Sequence, residues 1–237
     1  VFGTYFVTAY ALDTGKESWR QGGVGYTPVC SPVVWERAEG TLLYVSVPFQ
    51  AEEPMPTFEA LGAKHDADKD AKLTKAELAG SGFDEHFGWA DVNRDGLIDA
   101  PEWKHIQDGM ASKDFGLVAY RLTDKGVSEV WRHKRSLPSI STPLVADGVL
   151  YLAKEGGMLT TLDAASGKEL GFQRLEHAGG GCDASPIAAD GKLFVANQEG
   201  NLVVLSAGPE PKVLSHCDLG ETIHATPAIG AGELFVR

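Results

Sequence analysis

Nowhere in the 237 residues does an apolar run approach the roughly 20 that a membrane-crossing helix needs. The hydrolytic signatures G-x-S-x-G and H-E-x-x-H are missing, as is a P-loop. Cysteine is scarce: Cys30, Cys182 and Cys217 are an odd number with no C-x-x-C and no adjacent pair. One disulfide with a free thiol and three buried thiols both stay open. Basic charge is short as well, with 21 Lys and Arg against 33 Asp and Glu and a net charge of −12. That balance excludes a nucleic-acid phosphate partner. No secretory signal is visible, and the sequence starts and stops inside what read as strands, so a longer parent chain is expected.

What is present is a repeat. With 43% hydrophobic residues the chain can bury a sizeable core, in one large β domain or two. Pro143, Pro186 and Pro227, each in an S/T-P step, are 43 and 41 residues apart. Pro32 precedes Pro143 by 111 residues, and removing the 65 residues 50–114 leaves 46, close to the same period. Alternating apolar stretches within a repeat predict four short strands, in the third at Pro143–Ala146, Val149–Ala153, Met158–Leu162 and Glu169–Leu175. The turns "DG", "KEGG" and "DAASGK" carry the glycines that tight hairpins require. Four strands per 40–45 residues indicate a β-propeller blade. A β-sandwich with regular hairpins is the alternative, disfavoured because S/T-P, D/A-G and L-x-x-L recur at fixed offsets.

"ALDTGKESW" (11–19) and "TLDAASGKEL" (161–170) resemble the A-x-D-x-x-T-G-K-x-x-W repeat of quinoprotein-type, or PQQ-like, propellers. The first lacks two turn residues, the second has Gly171 where Trp would stand, and "LSAGPEPKVL" keeps only the outline. The resemblance covers nearly everything outside 50–114, about three blades with a partial blade at each end. Trp19 and Trp131 are expected to fill the wedge between blades. Three or four blades do not close a ring, so further chain is expected to complete it. The resemblance implies a fold shared by dehydrogenases and by non-catalytic scaffolds of the bacterial envelope.

Residues 51–114 hold 15 acidic and 7 basic side chains, so two-thirds of the excess charge sits in a quarter of the chain. That concentration points to a cation site. A hard divalent cation takes six to eight oxygens, and one 12-residue turn can supply most of them. "DVNRDGLIDAPE" offers Asp91, Asn93, Asp95, the Leu97 carbonyl, Asp99 and a closing Glu102, with Gly96 where the backbone must turn sharply. "DADKDAKLTKAE" offers Asp66, Asp68, Asp70, the Lys72 carbonyl, Thr74 and Glu77. In it Ala71 replaces the glycine, at a cost of about 1 kcal/mol for positive φ, so this loop should bind more weakly.

Both loops resemble EF-hands. Apolar flanks fit a helical face: Phe58 and Leu61 before the first loop with Leu78 after it, Phe87 and Ala90 before the second with Trp103 and Ile106 after it. Leu73 and Ile98 are expected to meet in a short two-stranded bridge. Two calcium ions are therefore expected, structural rather than regulatory.

The expected organisation is mainly β: propeller blades over 1–49 and 115–237, with a small α-helical EF-hand pair over 50–114 inserted in one blade. "TLLYVSV" (41–47) and "FGLVAYRL" (115–122) read as its second and third strands. The insertion thus replaces the hairpin that is "KEGG" or "QEGN" elsewhere and stands on the rim where related propellers carry ligands. A protein or small-molecule ligand is expected there, and His177, Cys182, Asp183 and His224 on the inter-blade links could converge on it. Gly179, Gly180 and Gly181 could admit a ligand to backbone N–H groups, although a tight crossover with each histidine satisfied locally is preferred.

Two functions stand. One is a calcium-binding, non-catalytic binding or assembly propeller in the periplasm, envelope or outside the cell. The other is a quinone-dependent dehydrogenase with its active site largely elsewhere. Without adjacent cysteines or a dense carboxylate cluster on the blades, PQQ is not expected, and no residue is assigned a catalytic role.

Overall fold

The computed structural model describes residues 6–22, 29–48, 55–110 and 115–237. The chain divides into two compact units, one of Val1–Phe49 with Asp114–Arg237 and one of Gln50–Lys113.

The first unit is built of antiparallel sheets in chain order. β1 (Val7–Tyr10) pairs with β2 (Glu17–Gln21). β3 (Val33–Trp35) and β4 (Leu42–Val47) come next, while β5 (Leu73–Thr74) and β6 (Leu97–Ile98) belong to the second unit. β7 (Gly116–Thr123) and β8 (Gly126–His133) complete the sheet β3-β4-β7-β8. The next sheet is β9 (Leu144–Ala146), β10 (Val149–Lys154), β11 (Met158–Asp163) and β12 (Glu169–Arg174). Then follow β13 (Ile187–Ala189), β14 (Lys192–Ala196), β15 (Asn201–Ser206) and β16 (Val213–Asp218). β17 (Ala228–Gly230) pairs with β18 (Glu233–Phe235). The strands expected in the third repeat are present within a residue at each end.

Second and third strands carry unbroken apolar runs because both their faces are covered. All of β4 is buried, whereas β16 is exposed along its length. Adjacent sheets share their cores: Leu42, Tyr44, Leu117 and Ala119 meet Leu150, Leu152 and Leu162. On the other face Val149, Tyr151 and Leu159 meet Leu193, Val195, Val203 and Leu205.

Polar contacts repeat at the same seams. Tyr44 Oη donates to the Ala164 carbonyl at 2.8 Å, and Trp131 Nε1 donates to Ala164 and Ala165 carbonyls at 3.2 and 3.1 Å. The Trp131 ring lies over Gly167, whose φ is +71°. Trp19 packs beside Tyr120, Leu122 and Val127. Both tryptophans thus fill inter-sheet seams.

The S/T-P steps form a ladder. Ser31 N–H donates to Thr142 Oγ1 at 3.0 Å, Thr142 N–H to Ser185 Oγ at 2.9 Å, and Ser185 N–H to Thr226 Oγ1 at 2.9 Å. The proline that marks each repeat therefore follows a residue that ties one sheet to the next.

The thiols are free: Cys30 and Cys182 are buried and Cys217 is exposed. Cys30 Sγ–H meets the Ser141 carbonyl at 3.3 Å, and burial pushes its pKa up to about 11. Burial does the same to Cys182. Neither the disulfide nor a fully buried set describes the three together.

In the second unit α1 (Phe58–His65) starts at Thr57, whose Oγ1 accepts the Ala60 N–H at 3.1 Å. α2 (Phe87–Ala90) is a single turn and α3 spans Ala100–Met110. Leu61, Leu73, Leu78, Phe87, Ala90, Ile98, Trp103 and Ile106 form a buried core. Trp103 Nε1 donates to the Pro56 carbonyl at 2.8 Å, and Phe83 meets its ring edge-on at 5.1 Å. The helical face expected around Leu78 and Phe87 is mostly turns over 75–86. Gly80 and Gly82 sit at φ +75° and +84°, and Asp84 accepts the Gly80 N–H at 3.1 Å, which favours turns over helix.

Candidate metal centre

In each loop the acidic side chains fold back onto the backbone in the same order. Asp66 Oδ2 accepts the Ala71 N–H at 3.0 Å, and Asp91 Oδ2 accepts the Gly96 N–H at 2.9 Å. Asp70 Oδ1 accepts the Lys72 N–H at 2.8 Å, and Asp95 Oδ1 the Leu97 N–H at 2.9 Å. Thr74 Oγ1 takes the Glu77 N–H, as Asp99 Oδ1 takes the Glu102 N–H.

The closing glutamates reach back across their loops. Glu77 accepts N–H groups from Ala67 and Thr74 at 3.0 and 2.8 Å, and Glu102 accepts from Val92, Asn93 and Asp99 at 3.0, 3.0 and 3.1 Å. The Thr74 N–H and hydroxyl hold the Glu77 carboxyl below the usual range. β5 and β6 join the loops with Leu73 opposite Ile98 and Thr74 opposite Leu97.

The backbone follows the same course in both. Lys69 and Arg94 stand at φ +63° and +62°, and Ala71 and Gly96 at +61° and +86°. Ala71 therefore adopts the left-handed conformation that glycine takes without strain.

The oxygens left over decide what the loops can hold. Asp66, Asp68 and Asp70 bring one carboxylate oxygen each within 4.8 Å of the others, a group that can hold a metal ion. Asp66 Oδ1 is buried with no hydrogen-bond partner. In the second loop Asp91 and Glu102 are each only 8% exposed, and neither forms an ion pair among the described residues. Carboxylates held out of water without a cation are costly. The donors are all oxygen, which suits a hard cation.

On the first unit the four link residues separate into different environments. His224 Nδ1 and Asp183 Oδ2 are 2.8 Å apart, and Gln198 donates to the same oxygen at 2.6 Å. First His224 and then Gln198 hold the Asp183 carboxyl below its usual range. His177 instead stacks on His216, with centroids 3.7 Å apart and planes 4° from parallel. Cys182 is buried in the inter-sheet core.

Gly180 and Gly181 make room for the chain's own Glu199 and Gln198, so these glycines serve packing. Gln198 carried no signal in the sequence beyond its place in a turn. Asn197 closes that turn, donating to the Gly179 carbonyl at 2.7 Å and accepting the Asn201 N–H at 2.9 Å.

Residues 111–208 match a family described as PQQ_2, outer membrane protein assembly factor BamB. Among curated proteins none matches the sequence. The crystal structure of BamB from Moraxella catarrhalis is similar over 98% of this chain and 49% of its own, at 11% identity and a TM-score of 0.53. This chain spans about half the length of that relative. Quinohemoprotein alcohol dehydrogenase from Comamonas testosteroni is similar over 42% of this chain and 18% of its own, at 18% identity and a TM-score of 0.34. A europium-containing methanol dehydrogenase is similar over 45% and 20%, at 20% identity and 0.33. Those two likenesses are too partial to carry an argument. The repeat match over 111–208, the BamB likeness and the four-stranded antiparallel sheets support a PQQ-like β-propeller repeat fold.

Proposed function

We propose that the chain is a non-catalytic assembly or binding scaffold of the bacterial envelope or periplasm, in which propeller blades carry an inserted EF-hand pair that binds two calcium ions. The blades occupy 1–49 and 115–237 and the insertion 50–114. The observation that carries the calcium reading is the partnerless buried oxygen of Asp66 beside Asp68 and Asp70. It is reinforced by the two ion-pair-free buried carboxylates of the second loop.

In the first loop Asp66, Asp68, Asp70, Thr74, Glu77 and the Lys72 carbonyl would hold the ion. In the second they are Asp91, Asn93, Asp95, Asp99, Glu102 and the Leu97 carbonyl. Calcium there would neutralise the clustered carboxylates and stiffen the second unit. The likeness to BamB supports the scaffold reading, since that protein's family is described by its part in outer-membrane assembly.

Calorimetric titration with calcium tests the assignment. Two sites are expected in the wild type, the first loop weaker because Ala71 stands where glycine is favoured. Glu102→Gln should abolish or greatly weaken the tighter site and leave the other. Two unchanged sites in Glu102→Gln would contradict the assignment.

A further inference from the structure

Two histidines from different elements meet face to face at the seam between the sheet of β9 to β12 and the sheet of β13 to β16. The His177 and His216 rings are 3.7 Å apart, with planes 4° from parallel. His177 sits on the link from β12 to β13, and His216 sits in β16. Both sheets at this seam have all four strands, so the pair lies between two whole blades.

The backbone is held on each side. Leu175 and Ala178, which flank His177, are buried in the core that these two sheets share. Asn197 Nδ2 donates to the His177 carbonyl at 3.3 Å. A φ of +62° then fixes the direction in which the His177 side chain leaves the link. His216 stands opposite Val203, which is fully buried in the same shared core. Side chains alternate along a strand, and the pairing runs without a register shift from His216 to Asp218. Asp218 is therefore on the His216 side of β16, and Cys217 is on the other.

The ring nitrogens of the pair are uncommitted. His133 Nε2 meets the Arg135 carbonyl at 2.8 Å, and His224 Nδ1 meets the Asp183 carboxylate at 2.8 Å. Among the described residues, His177 and His216 have no such bond and no ion pair, and both are exposed. Neutral imidazoles are the commonest metal ligands, and they suit zinc, copper and nickel. Asp218 adds a carboxylate, of which Oδ1 accepts the Gly220 N–H at 2.8 Å.

A tetrahedral zinc ion with bonds of about 2.0–2.1 Å to two imidazoles sets their nitrogens about 3.4 Å apart. The 3.7 Å between the ring centroids is close to that separation. The lone pairs of parallel rings lie in parallel planes, so each ring must tilt about χ2 to aim at one ion. Exposed side chains make such turns within nanoseconds, and the backbone need not move.

We propose that His177, His216 and Asp218 form a binding site for a divalent transition-metal ion of the zinc class, with water completing the coordination. The ion pins the β12–β13 link to the edge strand of the following sheet. The site lies wholly in the first unit and does not depend on whether the loops of the second unit bind calcium. Its nitrogen donors select a different class of metal from the all-oxygen loops.

The test uses zinc itself, titrated calorimetrically into the untagged chain with calcium present at millimolar concentration to occupy hard-cation sites. One zinc site of micromolar affinity is expected. His177→Ala, His216→Ala and Asp218→Ala should each weaken it at least tenfold, since losing even an outer partner of a ligand costs roughly 10–100-fold. Imidazole nitrogen NMR on the wild-type chain needs no variant to fold. Both rings should shift together and saturate at one zinc per chain. A wild type that binds no zinc at micromolar concentration, or in which only one of the two rings shifts, overturns the proposal. So does a folded variant of any of the three residues that keeps wild-type affinity.

Discussion

Thr142 donates its backbone N–H to the hydroxyl of Ser185 at 2.9 Å, across the seam between two four-stranded sheets. The bond spans 43 residues and has counterparts at Ser31 and Ser185. It gives the hydroxyl half of the S/T-P step a reason to recur alongside the proline. Ser185→Ala should lower stability by about 1 kcal/mol, the usual worth of one such bond. Ser185→Thr, which keeps the hydroxyl, should remain near the wild type. Urea unfolding of both variants checks this, and an alanine variant as stable as the wild type would count against the ladder.

Trp131 lies against Gly167, and a Cβ built there would come within 2.9 Å of three atoms of its ring. Gly15 holds the corresponding turn position at φ +66° with nothing within 4 Å. Gly15→Ala should cost only the left-handed backbone penalty, about 1–2 kcal/mol. Gly167→Ala should cost that plus roughly 1–3 kcal/mol of overpacking. Thermal or urea unfolding separates them, and equal losses would mean that the tryptophan moves aside freely.

Burial raises the thiols of Cys30 and Cys182 to about 11. At pH 8 iodoacetamide should therefore label native protein once, at Cys217, and urea-unfolded protein three times. Peptide mass mapping reads the sites. Prompt labelling of Cys30 in native protein would contradict the packing of the first unit.

His224 and Gln198 depress the Asp183 carboxyl. A carboxyl with a lowered folded pKa adds stability above its unfolded value near 3.9, and that contribution is lost as pH falls through the folded pKa. The effect is small because the His224 side chain is 64% exposed. In His224→Ala the Asp183 titration, followed by carboxyl NMR, should move up toward the ordinary aspartate range. An unmoved titration would mean that the 2.8 Å contact is not made in solution.

Much of the fold was legible because a blade repeats its own punctuation. Pro143, Pro186 and Pro227 mark the period, and strands two and three announce themselves as short apolar runs. What the hydroxyls before those prolines do was not legible, since it depends on which sheets become neighbours. The region after Leu78 misled because its apolar spacing suits a helix while Gly80, Gly82 and Asp84 favour turns. His177 lies two positions before the glycines that suggested an open rim, yet it stacks on His216 of β16, a long-range contact that spacing does not encode. The clustering of Asp66, Asp68 and Asp70 was legible because one short segment carries all three carboxylates.

The most direct measurement is the number of calcium ions held per chain, by equilibrium dialysis in micromolar to millimolar calcium. The wild-type chain should hold two, and the Asp66→Ala, Asp91→Ala double variant, whose fold is checked by circular dichroism, should hold none. A wild type that holds no calcium at millimolar levels, or a folded double variant that still holds two, would contradict the account.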